Sequence, residues 1–288
     1  MGLTLILLTG VVWGGIGIVL SYASKQRYDT WSFIGIATGI SSIGAWVFLV
    51  NWPLFIKGEV DTPIRLIVIL GIGGIASIVG MACLQKSMTA GAAAWAVGQS
   101  ALVVPFLAGV LFLGDTLYMS GIFGVITILL SLMLFFKADC KTEDSKEPWL
   151  RYALLAFLFL GISQTMSSIP SSWESWTDTA GLRVPIVLTA GAVPLICIVI
   201  FKKIPVKHGI IKLSICYATL VVSGQILLFT AMDQLQKENR LSLAFPLALG
   251  TCIILVSMWE IYNKRQWPDP FTLSGIMTGL VGVSLLTI

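Results

Sequence analysis

Long apolar stretches of this sequence contain a few side chains that can bind a polar molecule. We select seven of them as candidates: Trp13, Trp46, Trp95, Gln99, Gln164, Gln225 and Thr251. An amide in an apolar medium needs a hydrogen-bond partner, so the three glutamines should point toward protein groups or a bound solute. The face of an indole stacks on flat organic rings and attracts cations. The combination predicts a binding site for a small polar molecule.

Each candidate also has a purely structural explanation, which the sequence leaves open. A glutamine that bonds to a neighbouring helix stabilises a membrane protein by about 0.6 kcal/mol, and a tryptophan can simply pack. Spacing favours binding, because polar and aromatic residues recur every four positions and so share one helix face. Such stripes are Trp13, Gly17 and Ser21; Thr38, Ser42 and Trp46; Ser77, Met81 and Gln85; Trp95 and Gln99; Gln164, Ser168 and Ser171; Tyr217 and Gln225. We predict that the stripes line one cavity.

The composition restricts the elements that can position these residues. Only 11% of the 288 residues are charged, 57% are hydrophobic, and the mean hydropathy is +0.93. A soluble domain has about 25% charged residues, so this chain cannot cover a water-facing surface. Most soluble enzymes, nucleic-acid-binding domains and disordered chains are therefore excluded. The composition predicts a protein that crosses a membrane several times.

Ten stretches without a charged residue run along the chain, and each can cross about 30 Å of hydrocarbon as an α-helix. They span residues 1–23, 31–56, 66–85, 87–114, 116–136, 152–173, 184–201, 213–232, 241–259 and 270–288. Lipid offers the backbone no hydrogen-bond partner, which leaves helices or a closed barrel, and the unalternating apolar runs exclude the barrel. We predict an all-α integral membrane protein with ten transmembrane helices.

The longest polar interval lies near the midpoint, at residues 137–148. It divides the chain into two units of five predicted helices, 1–136 and 149–288. Residues 84–86 and 235–237 both read Leu-Gln-Lys and lie 151 positions apart. Several such matches in the same order indicate a duplication. Because five is odd, the second copy must cross the membrane in the inverted orientation.

Positive charges predict the orientation of these helices. With ten crossings, 13 of the 18 Lys and Arg residues lie in connections on one side of the membrane. The positive-inside rule assigns that side, which carries the 137–148 linker, to the cytoplasm. Both termini should then lie outside the cell, in a protein of the cytoplasmic membrane.

Three motifs in the first half are Trp13-Gly14, the apolar run 100–115 that ends in Gly-Asp, and the glycine-bearing stretch 121–132. They resemble the ten-helix type of the drug/metabolite transporter (DMT) superfamily, which consists of two EamA-like five-helix repeats. The second half departs from this pattern, because 262–266 reads Tyr-Asn-Lys-Arg-Gln where Leu-Gly-acid is expected. The resemblance implies solute movement by alternating access, with the fifth and tenth helices at the periphery.

Charged residues are absent from the ten apolar stretches. Proton/cation antiporters need a titratable group inside the membrane, so that class is disfavoured. The nearest such group is Glu260, and its spacing of four from Lys264 predicts an ion pair near the membrane surface. An uncharged interior suits a neutral or zwitterionic polar solute, such as a sugar, nucleoside or amino acid. We therefore predict a secondary permease for such a metabolite.

Two other functions stay open on the sequence alone. One is export of amino acids or of hydrophobic amines and drugs. The other is a membrane scaffold or lipid-handling protein that has no soluble substrate. Polar stripes that converge on one water-accessible cavity favour a permease, whereas stripes closed by neighbouring helices favour a scaffold.

Two prolines, Pro105 and Pro246, lie in the fourth and ninth predicted helices, which correspond to each other in the two repeats. A proline inside a helix removes one backbone hydrogen bond. We predict a gating hinge at each position, with a static kink as the alternative.

Signatures of catalysis and metal binding are missing from the sequence. It has no Gly-x-Ser-x-Gly, His-Glu-x-x-His or P-loop motif, and its single histidine, His208, lacks metal-ligand spacing. We expect no enzyme activity, no catalytic residue, no cofactor and no bound metal.

The expected partners are a small-molecule solute and the lipid bilayer, without nucleic acid. The sequence leaves open a coupling ion and the choice between monomer and homodimer.

The predicted orientation can be tested with a reporter enzyme fused after Ile288. A reporter that requires export should be active, because the predicted C-terminus lies outside the cell. Activity of a cytoplasm-dependent reporter at the same position would contradict the orientation.

Overall fold

A computed structural model describes residues 2–50, 52, 64–88, 92–112, 119–139, 149–173, 180–201, 208–237, 241, 244–264 and 269–286. Within these ranges the chain is almost entirely helical and contains no strand. The predicted linker lies outside the described residues except for 137–139, as do Gly114 and Asp115 of the predicted Gly-Asp motif.

The helices follow one another in the order α1 (Gly2–Lys25), α2 (Thr30–Leu49), α3 (Ile64–Ser87), α4 (Ala92–Gln99 and Val103–Phe112), α5 (Met119–Asp139), α6 (Trp149–Ser168), α7 (Ala180–Phe201), α8 (His208–Lys237), α9 (Ala244–Lys264) and α10 (Pro270–Leu286). A 3-10 turn, Ser100–Leu102, joins the two parts of α4. A second 3-10 turn, Ile169–Ser172, continues α6.

Eight of the described helices, α1–α4 and α6–α9, are long and apolar enough to cross a membrane. The apolar segments of α5 and α10, Met119–Ser131 and Pro270–Leu285, are shorter. By length and composition the chain is therefore an all-α, multi-pass membrane protein. Ten crossings and the orientation of the termini stay predictions.

Carboxylates cap two of the helices at the positions where the charge-free stretches begin. The Asp29 side chain accepts a hydrogen bond from the backbone N–H of Ser32, at 2.8 Å, and begins α2. The Asp269 side chain accepts bonds from the backbone N–H groups of Phe271 and Thr272, at 2.9 and 3.1 Å, and begins α10. Such caps satisfy backbone donors that have no partner within the helix.

The helices pack in pairs that match across the two halves of the chain. α3 packs along α6, and α8 packs along α1; α3 also contacts α7, and α8 also contacts α2. α4 packs on α6 just as α9 packs on α1. α5 and α10 contact chiefly each other, at the edge of the bundle. This is the contact pattern that two similar halves would produce.

Glycines allow the closest helix crossings. A Cβ atom at Gly74 of α3 would collide with the carbonyl oxygen of Val187 on α7. Gly10 and Gly14 of α1 face α9, where a Cβ atom at Gly10 would lie 2.6 Å from Cβ of Thr251. Small residues at such crossings let the helix backbones approach each other, which is how helices associate without a hydrophobic driving force.

The two prolines predicted as hinges occupy different positions in their helices. Pro105 lies in the interior of α4, as the third residue of the part that follows the interrupting 3-10 turn Ser100–Leu102. Pro246 is the third residue of α9. In the first turn the backbone N–H has no partner within the helix, so a proline removes no hydrogen bond. The expectation of a lost bond inside the ninth helix is therefore wrong for Pro246.

The α3–α7 crossing predicts that Gly74→Ala destabilises the protein by about 1–3 kcal/mol, because the added methyl group forces the two backbones apart. The apparent melting temperature in detergent should fall. Gly71→Ala is the matched control, since a Cβ atom at Gly71 meets no other atom within 4 Å. Equal effects of the two substitutions would contradict the close crossing.

Candidate functional site

A cavity of about 80 Å³ lies at the centre of the bundle. Its wall receives side chains from α1–α4 and α6–α9. A buried water needs roughly 10–15 Å³ by the same measure, so the cavity can hold several waters or part of a small solute. The polar and aromatic residues of the wall are Trp13, Thr38, Ser77, Trp95, Gln99, Ser163, Gln164, Ser167, Tyr217, Gln225 and Phe245.

Five of the seven predicted site residues meet at this cavity although they are far apart in sequence. They are Trp13 of α1, Trp95 and Gln99 of α4, Gln164 of α6 and Gln225 of α8. The remaining lining residues are apolar or carry hydroxyl groups, and the described wall contains no charged side chain. A wall of this kind can bind a solute by hydrogen bonds and ring stacking without a formal ion pair.

Trp46 and Thr251, the other two candidates, do not line this cavity. The Nε1–H of Trp46 donates to Oγ1 of Thr189, at 2.7 Å, so Trp46 connects α2 to α7. Thr251 donates its hydroxyl to the backbone oxygen of Leu247, at 2.8 Å, and packs against Gly10. Trp46 and Thr251 therefore make packing and hydrogen-bond contacts within the protein, which was the alternative to solute binding.

Two glutamines of the wall, Gln164 and Gln225, have unused hydrogen-bonding capacity. Gln99 and Gln164 are buried, with exposed fractions of 3% and 8%, and Gln225 is half-buried. The side-chain oxygens of Gln164 and Gln225 are buried and accept no hydrogen bond from the described residues. A buried polar atom without a partner costs about 1–3 kcal/mol. Water or a solute that donates hydrogen bonds to these amides would remove that cost.

Packing fixes the two tryptophans of the wall. The Trp13 ring stacks on Phe245 with centroids 6.4 Å apart, and its edge lies against Gly224 of α8. Trp95 donates its Nε1–H to Sγ of Cys252, at 3.3 Å, and lies against Gly17 of α1. Both rings are therefore held in place before any solute arrives, which lowers the entropic cost of binding.

The polar stripes of the sequence correctly predicted part of the remaining cavity wall. Thr38, Ser77, Met81 and Tyr217 line the cavity as their stripes predict, whereas Ser42 instead bonds to Thr189 at 2.8 Å.

The hydroxyl groups of Ser163 and Ser167, together with Phe245, were not expected at the wall. Ser167 lies three residues after Gln164 and four after Ser163, so helical periodicity places it on the same face as each of them. That spacing was the available signal.

Sequence reasoning also missed a buried ion pair outside the cavity. Arg183 and Asp233 were expected in connections between helices, but α7 begins at Ala180 and α8 continues to Lys237, so both lie within helices. Their side chains are buried, with Nη2 of Arg183 2.6 Å from both carboxylate oxygens of Asp233. The residues were overlooked because each lies one position beyond an uncharged stretch.

The predicted ion pair of Glu260 involves Lys264, whose side chain lies outside the described part of the chain. Glu260 itself is buried among helices, with an exposed fraction of 6%. The cause is its position on the face of α9 that packs into the bundle, since Val256, four residues earlier, lies against Gly17 of α1.

Comparison with known proteins identifies the fold but not the activity. No protein-family model and no curated protein matches the chain. Among solved structures, the chain is similar to one described as "Crystal structure of protein", with a TM-score of 0.65 and 11% sequence identity. The match covers 99% of this chain and 97% of that chain. An identity this low shows a shared fold alone, because one fold supports many functions.

The cavity predicts that Ser77→Cys reacts with a water-soluble thiol reagent, since the reactive thiolate forms only where water has access. Ile75→Cys is the matched control, because Ile75 of the same helix is 49% exposed on the apolar outer surface. Peptide mass spectrometry of the membrane-embedded protein would measure both reactions. Labelling of Ser77→Cys that is no faster than the slow labelling expected of Ile75→Cys would contradict a water-accessible cavity.

Proposed function

We propose that the chain is a secondary transporter that moves a small neutral or zwitterionic polar metabolite across the cytoplasmic membrane by alternating access. Sugars, nucleosides and amino acids are the solute classes with suitable chemistry. The single observation that carries the proposal is the convergence of Trp13, Trp95, Gln99, Gln164 and Gln225 on one central cavity. Four separate helices supply these side chains. Glutamines that served only to join neighbouring helices would have no reason to meet at one place.

The chemistry of the wall supports an uncharged or internally balanced solute. Amides both donate and accept hydrogen bonds, and hydroxyl groups do the same. Aromatic rings provide flat apolar faces for a sugar ring or a nucleobase. An anion or a fully charged cation would enter a site that offers no opposite charge, which is costly in a medium of low dielectric constant.

The architecture supports membership of the DMT superfamily, with ten crossings in two inverted EamA-like repeats, 1–136 and 149–288. The matched helix pairs described above are those that a two-fold relation between the halves requires. The peripheral α5–α10 pair also agrees with that family's arrangement. In this proposal the cavity lies near the middle of the membrane between the repeats, where inverted-repeat transporters bind their solutes.

One alternative within transport keeps support from the structure. Trp13, Trp95, Tyr217 and Phe245 surround much of the cavity, and aromatic faces attract ammonium groups. An exporter of amino acids or hydrophobic amines would use the same wall with the rings as its main contacts. A scaffold or lipid-handling protein is disfavoured, because it has no use for a central polar cavity.

A solute screen tests the proposal directly. Purified protein should gain thermal stability with the transported compound, since a ligand that binds only the folded state raises the apparent melting temperature. The panel should contain sugars, nucleosides, amino acids and hydrophobic amines. The compound that stabilises the protein should then enter or leave proteoliposomes that contain it. Stabilisation by amines alone would favour the exporter.

Gln99→Leu should reduce transport of that compound at least about tenfold, because the solute loses hydrogen bonds worth roughly 1.4 kcal/mol or more. Gln26→Leu, at an exposed position in the turn after α1, is the matched control and should transport normally. Wild-type transport by folded Gln99→Leu protein would remove Gln99 from the binding site.

A further inference from the structure

A buried polar network lies next to the cavity and not in its wall. Arg183 is completely buried, and its Nη2 atom donates to both oxygens of Asp233 at 2.6 Å. Its Nη1 atom donates to Oγ of Ser171 at 2.8 Å, and that hydroxyl lies 3.3 Å from Oδ1 of Asp233. The guanidinium also lies over the ring of Phe229, 5.2 Å from its centroid. Three helices are thereby connected through one arginine.

The network lies one helical turn beyond the cavity on each of these helices. Ser171 follows the lining residue Ser167 by four positions, at the end of α6. Arg183 precedes the lining residue Val187 by four positions, at the start of α7. Asp233 follows the lining residue Leu228 by five positions, near the end of α8. Since a turn of helix rises about 5.4 Å, the network covers one end of the cavity.

A second contact connects α3 to the same end of the bundle. The guanidinium of Arg65, in the first turn of α3, lies over the indole of Trp173, 4.4 Å from its centroid. Trp173 follows the 3-10 turn that carries Ser171. Four of the helices that form the cavity wall are therefore joined to one another on this side.

Charged groups suit a closure that must also open. A buried ion pair gains little net free energy, because the attraction of the ions is offset by their loss of hydration. When the helix ends separate, water hydrates Arg183 and Asp233, and the free energy of hydration offsets much of the lost attraction between the two charges. An apolar plug would instead expose hydrocarbon to water, at roughly 25 cal/mol for each square ångström. The ion pair can thus close the end of the cavity and still separate without a large cost in free energy.

We propose that Arg183, Asp233 and Ser171 form the gate that closes the central cavity toward the side of the membrane that carries the α6–α7 connection. The inference rests on the proposed function, since a gate has a role only in a transporter. It adds the residues that close the path and the end at which they act. Under the predicted orientation this end faces the outside of the cell.

Accessibility of a cysteine behind the gate tests the proposal without any solute. The parent variant is Ser167→Cys, which places a thiol in the cavity wall next to the gate. Vesicles of both orientations are treated with a membrane-impermeant thiosulfonate, and peptide mass spectrometry measures modification of position 167. From the side with the α6–α7 connection, modification should be slow in the parent and about tenfold faster or more after Asp233→Asn, because the charge that holds the gate is lost.

Two further variants separate gating from simple destabilisation. Asp233→Asn leaves Arg183 buried beside a neutral partner, so the double variant Arg183→Gln/Asp233→Asn is made as well, and size-exclusion chromatography shows which variants are folded. Asp29→Asn removes the carboxylate that caps α2, away from the gate, and should leave the labelling rate unchanged.

Folded gate variants that label position 167 no faster than the parent would overturn the proposal, and so would equally faster labelling in Asp29→Asn. Faster labelling of the gate variants alone would support it. This outcome does not depend on transport. A protein that opens at this end but moves none of the tested solutes would contradict the proposed function while leaving the gate in place.

Discussion

Lipid hydrocarbon provides no hydrogen-bond partner, and this constraint decides where each polar side chain of the chain lies. Hydroxyl groups satisfy it locally: Thr38 donates to the backbone oxygen of Ile34 and Thr251 to that of Leu247, each within its own helix. A glutamine amide has both donors and an acceptor on a longer side chain, and its own helix satisfies them less readily. The amides of α4, α6 and α8 therefore gather in the interior, where they share a cavity.

Close helix crossings determine the shape of that cavity. The backbones of α3 and α7 touch at Gly74 and Gly191, and both glycines also belong to the cavity wall. The cavity thus exists because side chains keep the helices apart elsewhere while glycines bring them together at its edge. Trp95 of α4 is a large side chain between such helices. Its ring packs against Gly17 of α1, and its indole N–H donates to Sγ of Cys252 on α9. The residues that pack these helices together are consequently also residues of the cavity wall.

Sequence reasoning located the helices and most of the cavity, because both depend on local patterns. Uncharged stretches reveal segments that lie in lipid, and stripes of polar residues reveal faces that avoid it, so Gln99, Gln164 and Gln225 were identifiable. It could not place Trp46 or Thr251, because each has a partner on another helix, Thr189 for the first and Gly10 for the second. The positions of the helix ends were the least accurate part of the prediction from sequence. Arg183 and Asp233 look like connecting residues until packing shows that their helices extend past them.

The buried ion pair has a consequence for the evolution of the two halves. At the offset of 151 positions, the counterparts of Arg183 and Asp233 are Ser32 and Ala82, both buried and uncharged. A duplicated ancestor with identical halves would have treated the two faces of the membrane alike. Here the second half carries a buried ion pair, and the equivalent positions of the first half carry uncharged residues. Under the proposed inverted-repeat arrangement, the conformations that close toward the two faces are therefore stabilised by different contacts.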